Sequence, residues 1–575
     1  MPRRFITPLN IGLTVLFIFI SLAVLSPNPF GNNPDIIEDE SYFLTSALSA
    51  IEKVTPPGWD FAPAGNYYGG PQTYLDTVVM APVVGGIFVL NHFSLLKTET
   101  QIALHTGDLL AVLRLVNSLC VIIFCGFFFI LFAKRKIPRP LALQFLFLLF
   151  LLFGNSLIIG LVHTAKVWTI YVLMDVGIGM LFIANEYYLA HRREPFIAKR
   201  TYVALIVWAA IIAFFQNYVG VFPIILWMCY ALLLKHMTIC DVWDYVWHRW
   251  YFIVGFSLLQ LSFLYRAAFV KDRVNWWDPG IVSATVGNTG DTVDWFHRLY
   301  NPIAFAFGGQ PLVLLYLIGL VAVLIFIFRN RILTNDSRKR LYLPIACVHP
   351  ILIYLIFHVF FGFSLFPRYS LPLTIACSLA IVMLAGILTS ESKFFLQIGL
   401  VLSGALFVLV SAHAIALYWQ PSSEVVLTSA LSEKFDSSRN VFVVEPSAWR
   451  LSLPLNTNSL SLLNARHESM SRYSFLLKQP SIIDSSVTFK PTVVIADTAQ
   501  EATGGLAQFE TASTSVWDIT SDCSDLCSVS ETKAGTCFML NLNVCGGNTP
   551  QEINMLPDFL SFTQLGSSYI VRKVP

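Results

Sequence analysis

Three consecutive carboxylic acids lie shortly after the first apolar segment of the chain. Glu38, Asp39 and Glu40 stand about twelve positions beyond the apolar residues 5–26. Carboxylates so close to a membrane helix are costly unless water solvates them or the protein uses them. Two interpretations fit this pattern: the acids take part in chemistry, or they cap a helix over residues 41–51 and complement its dipole.

A lone arginine lies between two late apolar segments, in the sequence FPRYSLP of residues 366–372. Arg368 is expected at the outer membrane face, where a guanidinium can bind a phosphate through two parallel hydrogen bonds. The alternative is a contact with a lipid headgroup, or a long side chain that only reaches up to the interface.

Two further loops carry cations beside aromatic side chains. His163 and Lys166 belong to the short turn between the third and fourth apolar segments, just before Trp168. Arg266 opens a longer loop, 266–298, that contains two adjacent tryptophans. Cations beside aromatic rings suit a sugar-phosphate ligand, but the same residue types also anchor helix ends at membrane interfaces.

The composition indicates what kind of scaffold positions these groups. Of the 575 residues, 55% are hydrophobic and 13% are charged, and the mean hydropathy is +0.65. Soluble domains carry roughly 25% charged residues. The 37 basic and 35 acidic residues leave a net charge of +2 and no basic stripe, which excludes a nucleic-acid-binding protein. The composition therefore predicts an α-helical polytopic membrane protein.

A segment of about 20 apolar residues is long enough to cross a bilayer. The chain has eleven candidate spans, and we expect the first to be a retained helix rather than a cleaved signal peptide. The spans are 7–26, 112–132, 141–160, 167–189, 202–216, 219–234, 250–267, 311–328, 342–361, 371–388 and 396–418.

The basic residues predict the topology. If the further apolar segment 77–93 does not cross, all basic clusters fall on one side, so we interpret it as interfacial or re-entrant. The N-terminus is then cytoplasmic and the tail 419–575 lies outside. The compact loops favour a prokaryotic plasma (inner) membrane over an endoplasmic-reticulum membrane. The outward loops are 27–111, 161–166, 268–310 and 362–370. The basic clusters are Arg3/Arg4, Lys134–Lys136, Arg192/Arg193, Lys199/Arg200 and Arg338–Arg340.

The tail predicts a second domain, residues 421–575, after a transmembrane domain over residues 1–420. Two short apolar stretches, 441–444 and 492–496, indicate buried strands and hence a small extracytoplasmic α/β domain. Four tail cysteines favour two disulfides over a zinc site, because their spacing fits no strong zinc pattern. They are Cys523, Cys527, Cys537 and Cys545.

The order of these features resembles the GT-C glycosyltransferase superfamily, which includes protein O-mannosyltransferases and aminoarabinose transferases. The resemblance covers roughly residues 7–420. Residues 69–72 depart from it, since many relatives have Pro-Pro-Leu where this chain has Gly-Gly-Pro-Gln. The matching features are Asp39-Glu40-Ser41-Tyr42, the Tyr68-Gly-Gly-Pro71 segment, the helix over 77–93, Arg114-Leu115 at the start of the next span, and the late Arg368-Tyr369 segment.

The resemblance implies an inverting transfer of a sugar from a polyprenyl-phosphate donor to an outward-facing lipid, cell-wall glycan or protein. Asp39 would deprotonate the acceptor hydroxyl, and Glu40 would orient the acceptor or share the proton. Three cations, Arg368, Lys166 and His163, would stabilise the leaving phosphate. The substrate contacts would be Tyr42, Tyr68, Arg266 and Tyr369. No cofactor is expected. A hard divalent ion suits the oxygen ligands of residues 38–40, but we do not favour one.

Two other classes of protein share this scaffold. A transporter or lipid flippase also needs many spans, and Asp175 in the fourth span is the residue that favours it. A non-catalytic assembly or receptor protein would bind a partner through the tail. Eleven spans exceed what such a protein needs for anchoring.

Overall fold

The computed structural model describes about two fifths of the chain, in separate stretches. These are residues 8–25, 43–44, 47–48, 51, 70–104, 106–133, 137–162, 165, 168–192, 198–216, 238–255, 257–258, 371–389, 393–419, 441–443, 493–497 and 569–573.

The described part is mostly helical. Its helices are α1 (Pro8–Val24), α2 (Gly70–Leu90), α3 (Leu95–Leu104), α4 (Thr106–Ala133), α5 (Arg139–Phe153), α6 (Ser156–Val162), α7 (Trp168–Arg192), α8 (Lys199–Gln216), α9 (Ile239–His248), α10 (Leu371–Thr389) and α11 (Lys393–Tyr418). Its strands are β1 (Val441–Val443), β2 (Val493–Asp497) and β3 (Tyr569–Lys573).

Three of these helices are long and apolar enough to cross a membrane. Their spans are Leu109–Leu131 in α4, Trp168–Tyr188 in α7 and Phe394–Ala412 in α11. Shorter apolar stretches lie in α1, α2, α5 and α10. The chain is therefore an α-helical membrane protein, as the composition predicts. The count of eleven spans and the topology stay predictions.

Helix α5 is the centre of the helical body. Helices α1, α7, α10 and α11 all pack against it, and its side chains from Leu141 to Phe153 are buried almost without interruption. A helix that is apolar on every side is suited to such a central position, as it is to contact with lipid. This explains why no hydrophilic face can be read in its sequence.

Small residues on the neighbouring helices allow α5 to come close. A Cβ atom on Gly386 of α10 would lie 2.7 Å from Nε2 of Gln144, and one on Gly399 of α11 would lie 2.8 Å from Cζ of Phe147. Close backbone approach at small residues is the usual means of packing helices within a membrane.

The predicted span 141–160 is wrong as one continuous helix. Helix α5 stops at Phe153, and the chain turns before the short helix α6. The N–H of Gly154 closes the last turn on the carbonyl of Phe150 at 2.8 Å. A Cβ atom at Gly154 would lie 3.4 Å from the backbone of Phe407 in α11. The break therefore lies beside the backbone of α11, a contact that hydropathy does not reveal.

The predicted boundaries of the segment 77–93 are also wrong. Helix α2 begins at Gly70, seven residues earlier, and ends at Leu90. Its first turns contain Gln72 and Asp76, whose polarity conceals the start of the helix in a hydropathy profile. Whether α2 crosses the membrane stays a prediction.

A Schellman turn ends α2. The N–H of Phe93 donates to the carbonyl of Phe88, and the N–H of His92 donates to that of Val89, each at 3.0 Å. The rings of Phe88 and Phe93 pack edge to face with centroids 5.4 Å apart, which is the hydrophobic contact that accompanies this motif. His92 has φ 53° and Phe93 φ 60°, so two non-glycine residues adopt the left-handed region. Helix α3 follows directly.

The three strands form one sheet in the order β1-β2-β3. Strand β1 pairs parallel with β2, with Val441 opposite Val493, and β2 pairs antiparallel with β3, with Val493 opposite Lys573. The two strands expected from the sequence are therefore present, whereas β3 was not predicted. The α/β domain as a whole stays a prediction.

Candidate functional site

The residues that the sequence analysis assigns to the site lie outside the described part of the chain. Their predicted roles are therefore not tested. The same holds for the four tail cysteines and their predicted disulfides. These residues are Asp39, Glu40, Tyr42, Tyr68, His163, Lys166, Arg266, Arg368 and Tyr369, with Cys523, Cys527, Cys537 and Cys545.

The structure does describe the segments that adjoin several of these residues in sequence. Residues 43–44, 47–48 and 51 are helical, in line with the helix expected over residues 41–51. Ala165, between His163 and Lys166, is described and fully buried.

These segments meet in one buried apolar cluster, separate from the core around α5. We call it the first-loop cluster. It joins the helical residues after the acidic motif to α2, α3, the beginning of α4 and the turn before α7. Its members are Leu44, Ala47, Leu48, Met80, Val84, Ile102, Leu109, Leu110, Leu113 and Ala165.

A buried carboxylate lies on α2, one turn before Met80 of this cluster. Asp76 is only 1% exposed, and Nε2 of Gln72 donates a hydrogen bond to its Oδ1 at 2.7 Å. Its other oxygen, Oδ2, is buried and accepts no hydrogen bond from the described residues. A buried polar oxygen without a partner costs about 1–3 kcal/mol, so its retention points to a ligand or a functional role.

The second buried charge near the cluster is Arg114. Its side chain is 4% exposed, whereas the adjacent Leu115 is 47% exposed. Helix α4 begins at Thr106 and its apolar span at Leu109, so Arg114 lies five residues into the span. It lies about two turns inside the helix, on the same face as the buried Asn117.

Gln72 and Asp76 are site candidates that were not predicted from the sequence. The signal was present: two polar residues four positions apart, in a segment that is otherwise apolar from Tyr74 to Leu90. Such a pair lies on one face of a helix. Hydropathy alone did not show that this face is the buried one.

The described residues contain no group of three His, Cys, Asp or Glu side chains that could hold a metal ion. Asp175, the residue that favours transport, is 2% exposed within the span of α7. Its carboxyl group is thus enclosed by protein rather than exposed on the lipid-facing surface.

Comparison with known proteins gives little. No protein-family model matches the chain, and no curated protein matches it significantly. Among solved structures, the chain is similar to the crystal structure of an oligosaccharyltransferase from Archaeoglobus fulgidus. The two chains are 12% identical, with a TM-score of 0.27, over 86% of this chain and 69% of the other. A likeness of that degree establishes neither a common fold nor a common activity.

Proposed function

We propose that this protein is a membrane glycosyltransferase that moves a sugar from a polyprenyl-phosphate donor to an outward-facing lipid, glycan or protein. The observation that carries the proposal is the first-loop cluster. Leu44 and Ala165 are both buried in this cluster. Leu44 follows Glu40 by four residues in the sequence, and Ala165 directly precedes Lys166. Chain connectivity thus favours an acid and a cation of the proposed site close to one another.

The proposed roles follow the order of the reaction. Asp39 removes the proton of the acceptor hydroxyl as the anomeric carbon becomes cationic, and Glu40 orients the acceptor. The bond from the anomeric carbon to the phosphate oxygen breaks, and the acceptor oxygen takes its place with inversion. Arg368, Lys166 and His163 stabilise the phosphate that leaves. Tyr42, Tyr68, Arg266 and Tyr369 contact the substrates.

We add Asp76 to the residues proposed to contact the substrates. A carboxylate whose second oxygen is buried without a hydrogen-bond donor matches a sugar hydroxyl, which supplies one. The Gln72 amide holds the carboxylate in place through its other oxygen. Pairs of carboxylate and amide side chains also give a sugar site its selectivity, because an analogue lacking the hydroxyl leaves them unpaired.

The test measures release of label from a panel of radiolabelled polyprenyl-phosphate sugars in membranes that contain the protein. We expect wild type to consume one donor and Asp39→Asn to lose at least a hundredfold in rate. Asp244→Asn is the matched control, since Asp244 is an exposed carboxylate on α9. Equal rates for wild type and Asp39→Asn would contradict the role of Asp39.

Transport is the second candidate function, and the buried Asp175 in α7 favours it. An ionisable group enclosed within a membrane span often belongs to an ion or substrate pathway. If no donor is consumed, uptake or lipid flipping into proteoliposomes is the next measurement. Loss of that movement in Asp175→Asn would support transport over transfer.

A further inference from the structure

Helix α9 carries a row of large apolar side chains on its exposed side. Ile239, Trp243 and Trp247 are 74%, 66% and 63% exposed, and their spacing of four residues places them on one face. Trp250 and Tyr251, just past the end of the helix, are also exposed. We call these five residues the tryptophan stripe. An exposed apolar surface of this kind marks an interaction site.

The other faces of α9 already have partners. Val242, Tyr245 and Val246 pack against the main core, so the stripe is not an alternative inner face. The start of the helix is closed by a capping box, in which Thr238 Oγ1 accepts from the N–H of Asp241 at 3.2 Å and Asp241 Oδ2 accepts from the N–H of Thr238 at 2.6 Å. The helix is thus well defined locally, and the stripe alone lacks a covering element among the described residues.

Two contacts define where α9 lies along the length of α8. Lys199 Nζ lies 2.6 Å from Asp241 Oδ2, and Trp208 Nε1 donates to the hydroxyl of Tyr245 at 2.9 Å. Lys199 and Trp208 are nine residues apart, roughly 13.5 Å along a helix. Helix α9 therefore runs beside the first half of α8, from its charged end to its apolar middle.

The predicted span 202–216 would put the boundary between lipid headgroups and hydrocarbon along this stretch. Lys199 and Arg200 are exposed at the beginning of α8, directly before this predicted span, where cations can meet lipid phosphates. Arg249 adds a third cation, with its guanidinium carbon 4.5 Å from the centre of the Tyr245 ring. This contact keeps a positive charge beside the stripe, which complements the phosphates of a bilayer surface.

The exposed apolar surface continues beyond the stripe. Phe252, Val254 and Leu258 are exposed on the helical residues that follow Arg249, within the predicted span 250–267. Trp243 and Trp247 are stacked, with ring centroids 6.1 Å apart and planes at 22°, so they present one continuous face. Tryptophan is enriched at the level of lipid headgroups because its ring is apolar and its N–H is polar.

We propose that the tryptophan stripe inserts into the interfacial layer of the phospholipid bilayer, and that α9 anchors the adjoining spans at that depth. The partner is the bilayer itself rather than another protein. The stripe is continuous with the apolar surface that follows it, and the exposed Arg200 and Arg249 complement lipid phosphates, whereas Lys199 is paired with Asp241. The proposal does not depend on the transferase function.

The experiment compares tryptophan emission of the full chain in nanodiscs made with ordinary or brominated phosphatidylcholine. Brominated chains quench only tryptophans that touch lipid. The double variant Trp243→Phe/Trp247→Phe removes two of the 13 tryptophans and keeps the stripe apolar. The difference in emission between wild type and this variant is the emission of Trp243 and Trp247. We expect this emission to be quenched by brominated lipid and not by iodide in the aqueous phase.

Trp168→Phe is the matched control, since Trp168 is 1% exposed. The emission lost in this variant is that of Trp168, and we expect neither quencher to change it. If the emission from the stripe is quenched by iodide and not by brominated lipid, the stripe faces water and the proposal is overturned. A second copy of the chain is the other possible partner of the stripe. The proposal is also overturned if nanodiscs that hold one copy show no quenching by brominated lipid and crosslinking at higher protein content joins the stripes of two copies.

Discussion

Gln72 donates a hydrogen bond of 2.7 Å to one carboxylate oxygen of Asp76, one turn further along α2. The other oxygen is equally buried and accepts no hydrogen bond from any residue in the described part of the chain. One oxygen is thus held by Gln72, and the other has no donor among the described residues. Both residues lie immediately after the Tyr68-Gly-Gly-Pro71 segment.

The first prediction concerns Asp76. Asp76→Asn keeps the size of the side chain but replaces a carboxylate oxygen, so one hydrogen bond to a sugar hydroxyl is weakened or lost. A buried sugar hydroxyl that loses its acceptor costs about 1–3 kcal/mol, so sugar transfer should fall by about 5- to 150-fold. The measurement is the initial rate with the donor that wild type consumes. A rate equal to wild type, in a variant that inserts normally, would remove Asp76 from the site.

Packing at α11 is the subject of the second prediction. A Cβ atom at Gly399 would lie 2.8 Å from Cζ of the buried Phe147, so Gly399→Ala should lower stability by about 1–3 kcal/mol through overpacking. Gly86 in α2 has no atom within 4 Å of its Cβ position. Gly86→Ala should instead raise stability by about 0.5–1 kcal/mol, because alanine loses less conformational entropy in a helix. Thermal unfolding in detergent compares the two variants. The same shift for both would mean that Gly399 does not mediate a close contact.

A third prediction follows from the turn between α2 and α3. His92 has φ 53°, a conformation that costs an L-residue roughly 1–2 kcal/mol and costs glycine nothing. His92→Gly should therefore raise the free energy of unfolding by about 1 kcal/mol after its own entropy cost is subtracted. His92→Ala keeps the Cβ atom and should give no gain. Chemical denaturation distinguishes the two, and a gain with alanine would show that the histidine side chain, not the backbone, is unfavourable.

The fourth prediction is a dependence on pH. Hydrogen bonds from Lys199 and Thr238 lower the pKa of Asp241 from 3.8 to about 2. A carboxyl group whose pKa is lower in the folded state contributes its stabilisation above pH 3.8, and the contribution is lost as the pH falls from there towards 2. Asp241→Asn should thus have a lower Tm than wild type at pH 6, and the difference should shrink as the pH falls through 4 towards 3. A difference that is constant with pH would mean that the capping geometry, rather than the charge, carries the effect.

How far the sequence alone reaches can be judged from particular elements. The helix bounds of α1, α7, α10 and α11 agree with the predicted spans 7–26, 167–189, 371–388 and 396–418 within about three residues. Strands β1 and β2 likewise fall in the two apolar stretches predicted for them. These elements are set by local hydropathy, because a run of apolar side chains must leave water wherever the rest of the chain goes.

Some features depend on contacts between distant parts of the chain. The interruption after Phe153 lies where the backbone of Phe407 approaches, some 250 positions away in sequence. Helices α2 and α4 likewise both contribute to the first-loop cluster, and each also carries a buried charged residue, Asp76 and Arg114. Hydropathy treats both residues as marks of a polar boundary, since it contains no information about their neighbours.

The sequence by itself determined that this chain is an α-helical membrane protein and where most of its apolar helices lie. Only the tertiary structure decided which polar side chains are enclosed and which large apolar ones stay exposed. Asp76 and Trp243 are the clearest cases: a carboxylate is buried and an indole is left outside. The reason is physical, since burial is a property of the packed assembly of helices, whereas hydropathy is a property of each residue alone.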